Sequence, residues 1–260
     1  MTPVYTDMKY GPYERNVLDV YLPDRTEGPS PAVIYLHGGG YIHGDKINVQ
    51  TIPLMEECLS QGIAVISANY RFITQHPFPA PMNDGTRVIQ FVRRKAPEWN
   101  IDPQLIALSG TSAGAHISLW NAFRGDLSDP HSDDPVARVS SAVCAVVAFE
   151  AQASKDQHFY KDIYLGSKIQ PNITLFYGIE KTEDLERPDI RKLSYEASAI
   201  NFITEKAPPV LLSYRREFTP VPIAADIPVD HLIHHPVHGY MLKQKMESFG
   251  RKCIFRHPGD

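Results

Sequence analysis

Two glycine-rich segments hold the residues of this chain best suited to chemistry. One reads Gly110-Thr111-Ser112-Ala113-Gly114, a G-x-S-x-G pattern. A serine between small residues can sit on a sharp turn that lifts its hydroxyl clear of the backbone, and a helix starting just after it favours negative charge developing there. That is the placement a nucleophile needs. The other segment reads His37-Gly38-Gly39-Gly40-Tyr41. Consecutive glycines let backbone N–H groups converge on one point, as the oxyanion of a tetrahedral intermediate requires. A phosphate cradle is the competing use of such a loop, but there is no G-x-G-x-x-G spacing and no G-K-[ST] after it. Serine and glycines together point to acyl transfer.

Such a serine needs a histidine to take its proton and a carboxylate to orient the histidine. Histidines concentrate in Asp230-His231-Leu232-Ile233-His234-His235-Pro236-Val237-His238. His234 and His235 are the candidate bases, with His235 preferred because Pro236 restricts the backbone beside it; His257 is a third choice. Four histidines in eight residues also raise the question of a metal. No carboxylate or thiolate stands at ligand spacing, so neither a metal nor an organic cofactor is expected. Candidate acids are Glu217 and Glu150, with Asp226 and Asp230 farther along the same loop; taken singly, each reads first as a solvated carboxylate.

The elements that must position these residues follow from hydrophobic patterning. Apolar runs at Val17 to Leu22, Ala32 to Leu36, Ala64 to Ala68, Leu105 to Ser109, Ala142 to Phe149, Pro209 to Tyr214 and Cys253 to Arg256 predict strands, several covered on both faces. Between them Val49 to Ser60, Asp84 to Lys95, Ala113 to Phe123 and Tyr240 to Phe249 carry helical spacing. In the last, Leu242, Met246 and Phe249 are expected to share a face, with Gly250 as the stop. Strand alternating with helix predicts an α/β fold around a mostly parallel sheet. Both glycine-rich segments leave strand ends, where such sheets bind ligands.

Composition bounds the function classes. The chain has 260 residues, 43% hydrophobic and 22% charged, which excludes a disordered or disulfide-built protein and fits one domain over residues 1–260. Its formal net charge of −4, with no basic stripe, argues against nucleic acid as a partner. Three cysteines without a CxxC pair read as reduced thiols. The N-terminal residues show no secretory pattern, and the longest apolar run, Ala142 to Phe149, is far too short to span a bilayer. A soluble, cytoplasmic protein is the default expectation, with self-association left open.

Residues 31 to 124 resemble the α/β-hydrolase superfamily, and within it the hormone-sensitive-lipase-like and small bacterial carboxylesterase branch. The resemblance rests on His37-Gly38-Gly39-Gly40-Tyr41 with Gly44, on Asn69-Tyr70-Arg71, and on His76-Pro77-Phe78-Pro79-Ala80 with Asp84. It continues through Trp99-Asn100-Ile101-Asp102-Pro103 into the Ser112 pentapeptide. It is weaker at Ala197-Ser198-Ala199-Ile200 and Pro208-Pro209-Val210-Leu211-Leu212. It implies an α/β-hydrolase fold with helices on both faces of the sheet. It also implies Ser112 as nucleophile and the N–H groups of Gly38, Gly39 and Ala113 as oxyanion hole, while His37, Asp84 and Asn100 to Pro103 shape the scaffold. Only 36 residues precede His37, so the cover over the site is expected from a lid-like insertion at about 151–204 instead of an N-terminal cap. Its aromatics, Phe159, Tyr160, Tyr164, Phe176 and Tyr177, are expected to form either its own core or a pocket wall.

The chain departs from the family pattern at the acid and the base. After Tyr214 the acid position offers Glu217 in place of the usual aspartate, and the final strand runs into His257-Pro258-Gly259-Asp260 without the glycine-histidine pair that usually follows it. The base therefore comes from the 230–238 segment or from beyond Asp260. The expected activity is a serine carboxylic-ester hydrolase acting on short-chain acyl esters. An amidase or arylformamidase using the same groups, and a non-catalytic binding module of the same fold, are the alternatives.

Overall fold

The seven apolar runs and one further edge strand assemble into an eight-stranded sheet in a computed structural model, which describes residues 2–24, 27–166 and 168–260. The strands are β1 (Tyr5–Lys9), β2 (Val17–Tyr21), β3 (Ser30–Leu36), β4 (Ala64–Ala68), β5 (Ile101–Thr111), β6 (Val146–Phe149), β7 (Val210–Ser213) and β8 (Cys253–Arg256). Their order is β1-β2-β4-β3-β5-β6-β7-β8. From β4 through β8 all pairs are parallel, and β1 and β2 add an antiparallel edge. The chain leaves β3 toward β4 on one side and returns to β5 on the other, so the order reverses at β3. The carboxyl ends of β3 and β5 therefore flank the crevice where a doubly wound sheet takes ligands.

Side chains alternate across the sheet, and the two faces bury different partners. Ala32, Ile34 and Leu36 of β3 join the main core with Met82, Val88, Ile89 and Val92 of α2 (Ala80–Lys95) and most of α3 (Ala113–Phe123). Val33 and Tyr35 point the other way, onto Met55 and Cys58 of α1 (Pro53–Ser60). Each fully buried Leu, Ile or Val contributes about 1.5–3 kcal/mol, so paired apolar faces hold the sheet between its helices. Every residue of α3 is buried, which makes the element behind Ser112 the most enclosed helix of the fold.

Boundaries shift where end chemistry outweighs periodicity. The helix expected over 49–60 begins at Pro53, because a 3-10 turn over Lys46–Thr51, capped by Asp45, occupies the residues before it. The last helix, α8 (Val237–Ser248), starts three residues earlier than its spacing indicates, on Pro236. Leu242 and Met246 are buried as expected, but Phe249 is 38% exposed at the C-cap and does not share their face. Gly250 has φ +64°, the left-handed stop expected of it.

Between β6 and β7 the chain forms α4 (Gln157–Ile163), α5 (Ile173–Tyr177) and α6 (Pro188–Ala197). Phe176 and Tyr177 belong to the main core, and Tyr160 and Tyr164 pack with Ile223, Leu232 and Val237 in a smaller cluster. The aromatics thus serve as core. A short helix, α7 (Val229–Ile233), precedes α8. Among the described residues, no helix is long and apolar enough to cross a membrane.

Candidate active site

Ser112 stands between the end of β5 and the first residue of α3, with φ +51° and ψ −111°. A non-glycine residue in that conformation is strained, and the surrounding packing must hold it there. Gly114 shows how tight that packing is, since a Cβ there would lie 2.0 Å from the Leu36 carbonyl oxygen. The pentapeptide needs its glycines because α3 abuts β3 at this point. The dipole of α3 then directs its positive end at the Ser112 side chain.

The loop leaving β3 faces the same spot. Gly39 has φ +113°, a conformation open to glycine and strained for other residues. Among the described residues, the amides of Gly38, Gly39 and Ala113 donate no hydrogen bond. The loop is held by side chains around it. His37 donates from Nδ1 to the Gly38 carbonyl at 2.7 Å, which leaves Nε2 to accept from Arg15 at 3.2 Å. Burial lowers the His37 pKa to about 4, so it stays neutral. Tyr41 donates its hydroxyl to His116 Nδ1 at 2.7 Å, and His116 Nε2 donates to the Ala197 carbonyl at 2.9 Å. That chain ties the glycine loop to α3. Asp84 is a buried partner of Arg71 at 2.7 Å, consistent with a scaffold part.

Across the crevice, Ser112 Oγ lies 2.8 Å from His234 Nε2. His234 Nδ1 lies 3.0 Å from Asp230 Oδ1, and because a carboxylate only accepts, Nδ1 carries the proton and Nε2 is free to accept from the serine. The pair arises from α7: Asp230 sits in its first turn and His234 is its C-cap, four residues on, so both side chains share one face. Arg216 bridges the acids, 2.9 Å from Asp230 Oδ2 and 3.5 Å from Glu150 Oε2. Glu150, at φ +54° just after β6, is buried, and its Oε1 accepts from the Arg215 amide at 2.6 Å. Burial lowers the pKa of His234, while Asp230 and Glu150 pull it up and Arg216 pushes it down.

This placement corrects two expectations. His235 does not reach Ser112; it pairs through Nε2 with the Thr219 hydroxyl at 2.7 Å and accepts from the Val237 amide at 3.1 Å. The reason is its position past the end of α7, where the turn into α8 swings successive side chains to opposite sides. Burial lowers its pKa to about 4. Glu217 is exposed and, among the described residues, is not brought to any histidine. His238 is buried against the Leu232 carbonyl, and His257 folds back on the Pro258 carbonyl. Asp230, ranked below the glutamates, is the carboxylate that meets His234; its i, i+4 spacing from His234 was the available signal.

Ser112, Gly38 to Tyr41 and His234 open onto a cleft of about 370 Å³. Gln152, Lys155, Gln170, Pro171 and Asn172, from the 151–204 segment, also line it. The aromatics of that segment do not line it.

Known proteins share this sequence pattern and fold. The mycobacterial esterase LipQ of Mycobacterium tuberculosis is 27% identical over 84% of this chain and 50% of its own length. A probable isoprenylcysteine alpha-carbonyl methylesterase of Arabidopsis thaliana, ICMEL1, is 33% identical over 52% of this chain and 28% of its own. The chain thus spans half or less of these relatives. Among solved structures, a truncated carbohydrate esterase from gut microbiota superposes with a TM-score of 0.75 at 21% identity, covering 97% of this chain and 86% of that one. The sheet order and these likenesses identify an α/β-hydrolase fold. Residues 18–225 match the BD-FAE family model, which is most of the chain, and the chain belongs to the BD-FAE family.

Proposed function

We propose that this chain is a serine carboxylic-ester hydrolase acting on short-chain acyl esters. The observation that carries the reading is the 2.8 Å contact between Ser112 Oγ and a His234 whose other nitrogen is held by Asp230. His234 takes the serine proton as Oγ attacks the ester carbonyl, and the new oxyanion is received by the amides of Gly38, Gly39 and Ala113. His234 then returns the proton to the departing alcohol, leaving an acyl-serine that water clears by the same steps in reverse roles. Asp230 fixes the ring and its tautomer. Glu150 and Arg216 set the field behind it. The relatives named as esterases support the reaction class, and the small cleft, with the 151–204 segment as its cover, supports short acyl groups.

The test is a fluorophosphonate probe together with p-nitrophenyl acetate, butyrate and palmitate. The chain is expected to label at Ser112 and to prefer acetate or butyrate. Ser112→Ala is expected to lose labelling and at least about 10⁴-fold in kcat/KM, because it removes the attacking atom. Unchanged turnover in Ser112→Ala refutes the mechanism, and a palmitate optimum refutes the substrate class.

A further inference from the structure

The part of the cleft lined by residues of the 151–204 segment holds chemistry that the hydrolytic steps leave unused. Lys155 is 5% exposed. Its Nζ donates to Gln152 Oε1 and lies 4.9 Å from the centre of the Tyr41 ring and 5.4 Å from that of Phe176. Among the described residues, no carboxylate forms an ion pair with it. An ammonium taken out of water without a counter-charge is unfavourable, and burial alone brings its pKa down to about 7. Gln170, which lines the same cleft and is also 5% exposed, has both amide atoms buried with no hydrogen-bond partner among the described residues. Asn172, at φ +60°, reaches among the described residues only the Gly40 carbonyl, at a long 3.4 Å. All three side chains line the cleft that Ser112 opens onto.

Buried polar groups are normally satisfied, and those that are not call for a partner from outside the chain. Here the unmet groups are a cation and the Gln170 amide, both lining the cleft that Ser112 opens onto; Nε2 needs an acceptor, and Oε1 is left for a donor elsewhere on the same ligand. A hydroxyl would satisfy an amide but leave the ammonium without a counter-charge. A carboxylate meets both needs, because its two oxygens accept from Nζ and from an amide together. We propose that Lys155, Gln170 and Asn172 form a subsite for a carboxylate carried by the ester substrate, so that this site takes anionic esters in preference to plain alkyl ones. The proposal rests on the hydrolase reading above and adds the substrate class to it. Lys155 is thereby a specificity residue, and Tyr41 links its environment to the glycine loop.

The carboxylate can belong to the acyl part or to the alcohol part, and paired substrates followed by pH-stat separate the two. Monomethyl succinate against methyl 4-methylpentanoate tests the acyl side. Acetoxyacetate against isobutyl acetate tests the alcohol side. In each pair an isopropyl group replaces the carboxylate at nearly the same size. The expected result is a kcat/KM ratio of at least about tenfold in favour of the anion in one pair, falling to one or below in Lys155→Met and dropping at least about threefold in Gln170→Leu. Ratios at or below one in both pairs overturn the subsite while leaving the hydrolase reading intact, and so does a preference that survives Lys155→Met. If no ester is cleaved, the hydrolase reading falls and binding decides the subsite: calorimetric titration of Ser112→Ala with monomethyl succinate and with acetoxyacetate. Millimolar or tighter binding of one of them, lost when Lys155→Met is added, supports the subsite; no binding of either overturns it. The same titration serves if Lys155→Met alone does not fold, with Gln170→Leu in its place.

Discussion

At the scale of single residues, the imidazole of His234 is balanced between opposing influences, and their signs make its behaviour predictable. Burial dominates and lowers its pKa below 6.5, against the attraction of Asp230 and Glu150 and with the repulsion of Arg216. A base must be neutral to act, so kcat/KM should rise with pH along a limb whose midpoint lies below 6.5. Asp230→Asn removes a group that favours the protonated ring, so its limb should move to lower pH, with a plateau about 10- to 100-fold down from the loss of orientation. Arg216→Met removes a repelling charge, so its limb should move to higher pH. Both shifts are read from pH–rate profiles on p-nitrophenyl acetate, and shifts of the opposite sign would mean that the titrating group is not His234.

The elements explain why half of this site was legible in the sequence. Ser112 and the glycine loop depend on local chemistry: a strand, a turn that admits only small residues, and a helix beginning at once, all readable within about ten positions. Gly114 is the sharpest example, with the Leu36 carbonyl 2.0 Å from where its Cβ would be. Gly114→Ala should therefore destabilise the fold by about 3 kcal/mol through forced separation of α3 from β3. Urea unfolding measures this, and a change under about 0.5 kcal/mol would show that the contact yields freely. The histidine that meets Ser112 was harder to read because α7 spans only Val229–Ile233 between two prolines, too short for a periodic signal. Without that helix, nothing local says that His234 and Asp230 share a face while His235 turns toward Thr219. The edge strand β1 was missed for a related reason: Tyr5–Lys9 is largely exposed and has no apolar run. The helices between β6 and β7, α4 to α6, are short and packed by aromatics, so composition marked the segment without marking its elements.

At the scale of the whole molecule, His37, His116, His235 and His238 are buried and held neutral. Burial lowers the pKa of His37 and His235 to about 4, of His238 to about 3, and of His116 well below its ordinary value. Once unfolded, each recovers a pKa near 6.5 and binds a proton that the folded state refuses. Stability is then lost as pH falls from about 6.5 toward 4, by up to about 1.4 kcal/mol per pH unit for each such histidine. Urea midpoints at pH 7, 6 and 5 should fall steadily, and a flat profile would contradict the burial of these rings. The same chain places Ser112, between β5 and α3, beside His234 at the end of α7, and the proposed mechanism depends on that juxtaposition. Comparison of kcat/KM on p-nitrophenyl acetate for His234→Ala and His235→Ala tests it most directly. The geometry predicts a loss of at least about 1000-fold for His234→Ala and less than about tenfold for His235→Ala; near-normal activity in His234→Ala would contradict it.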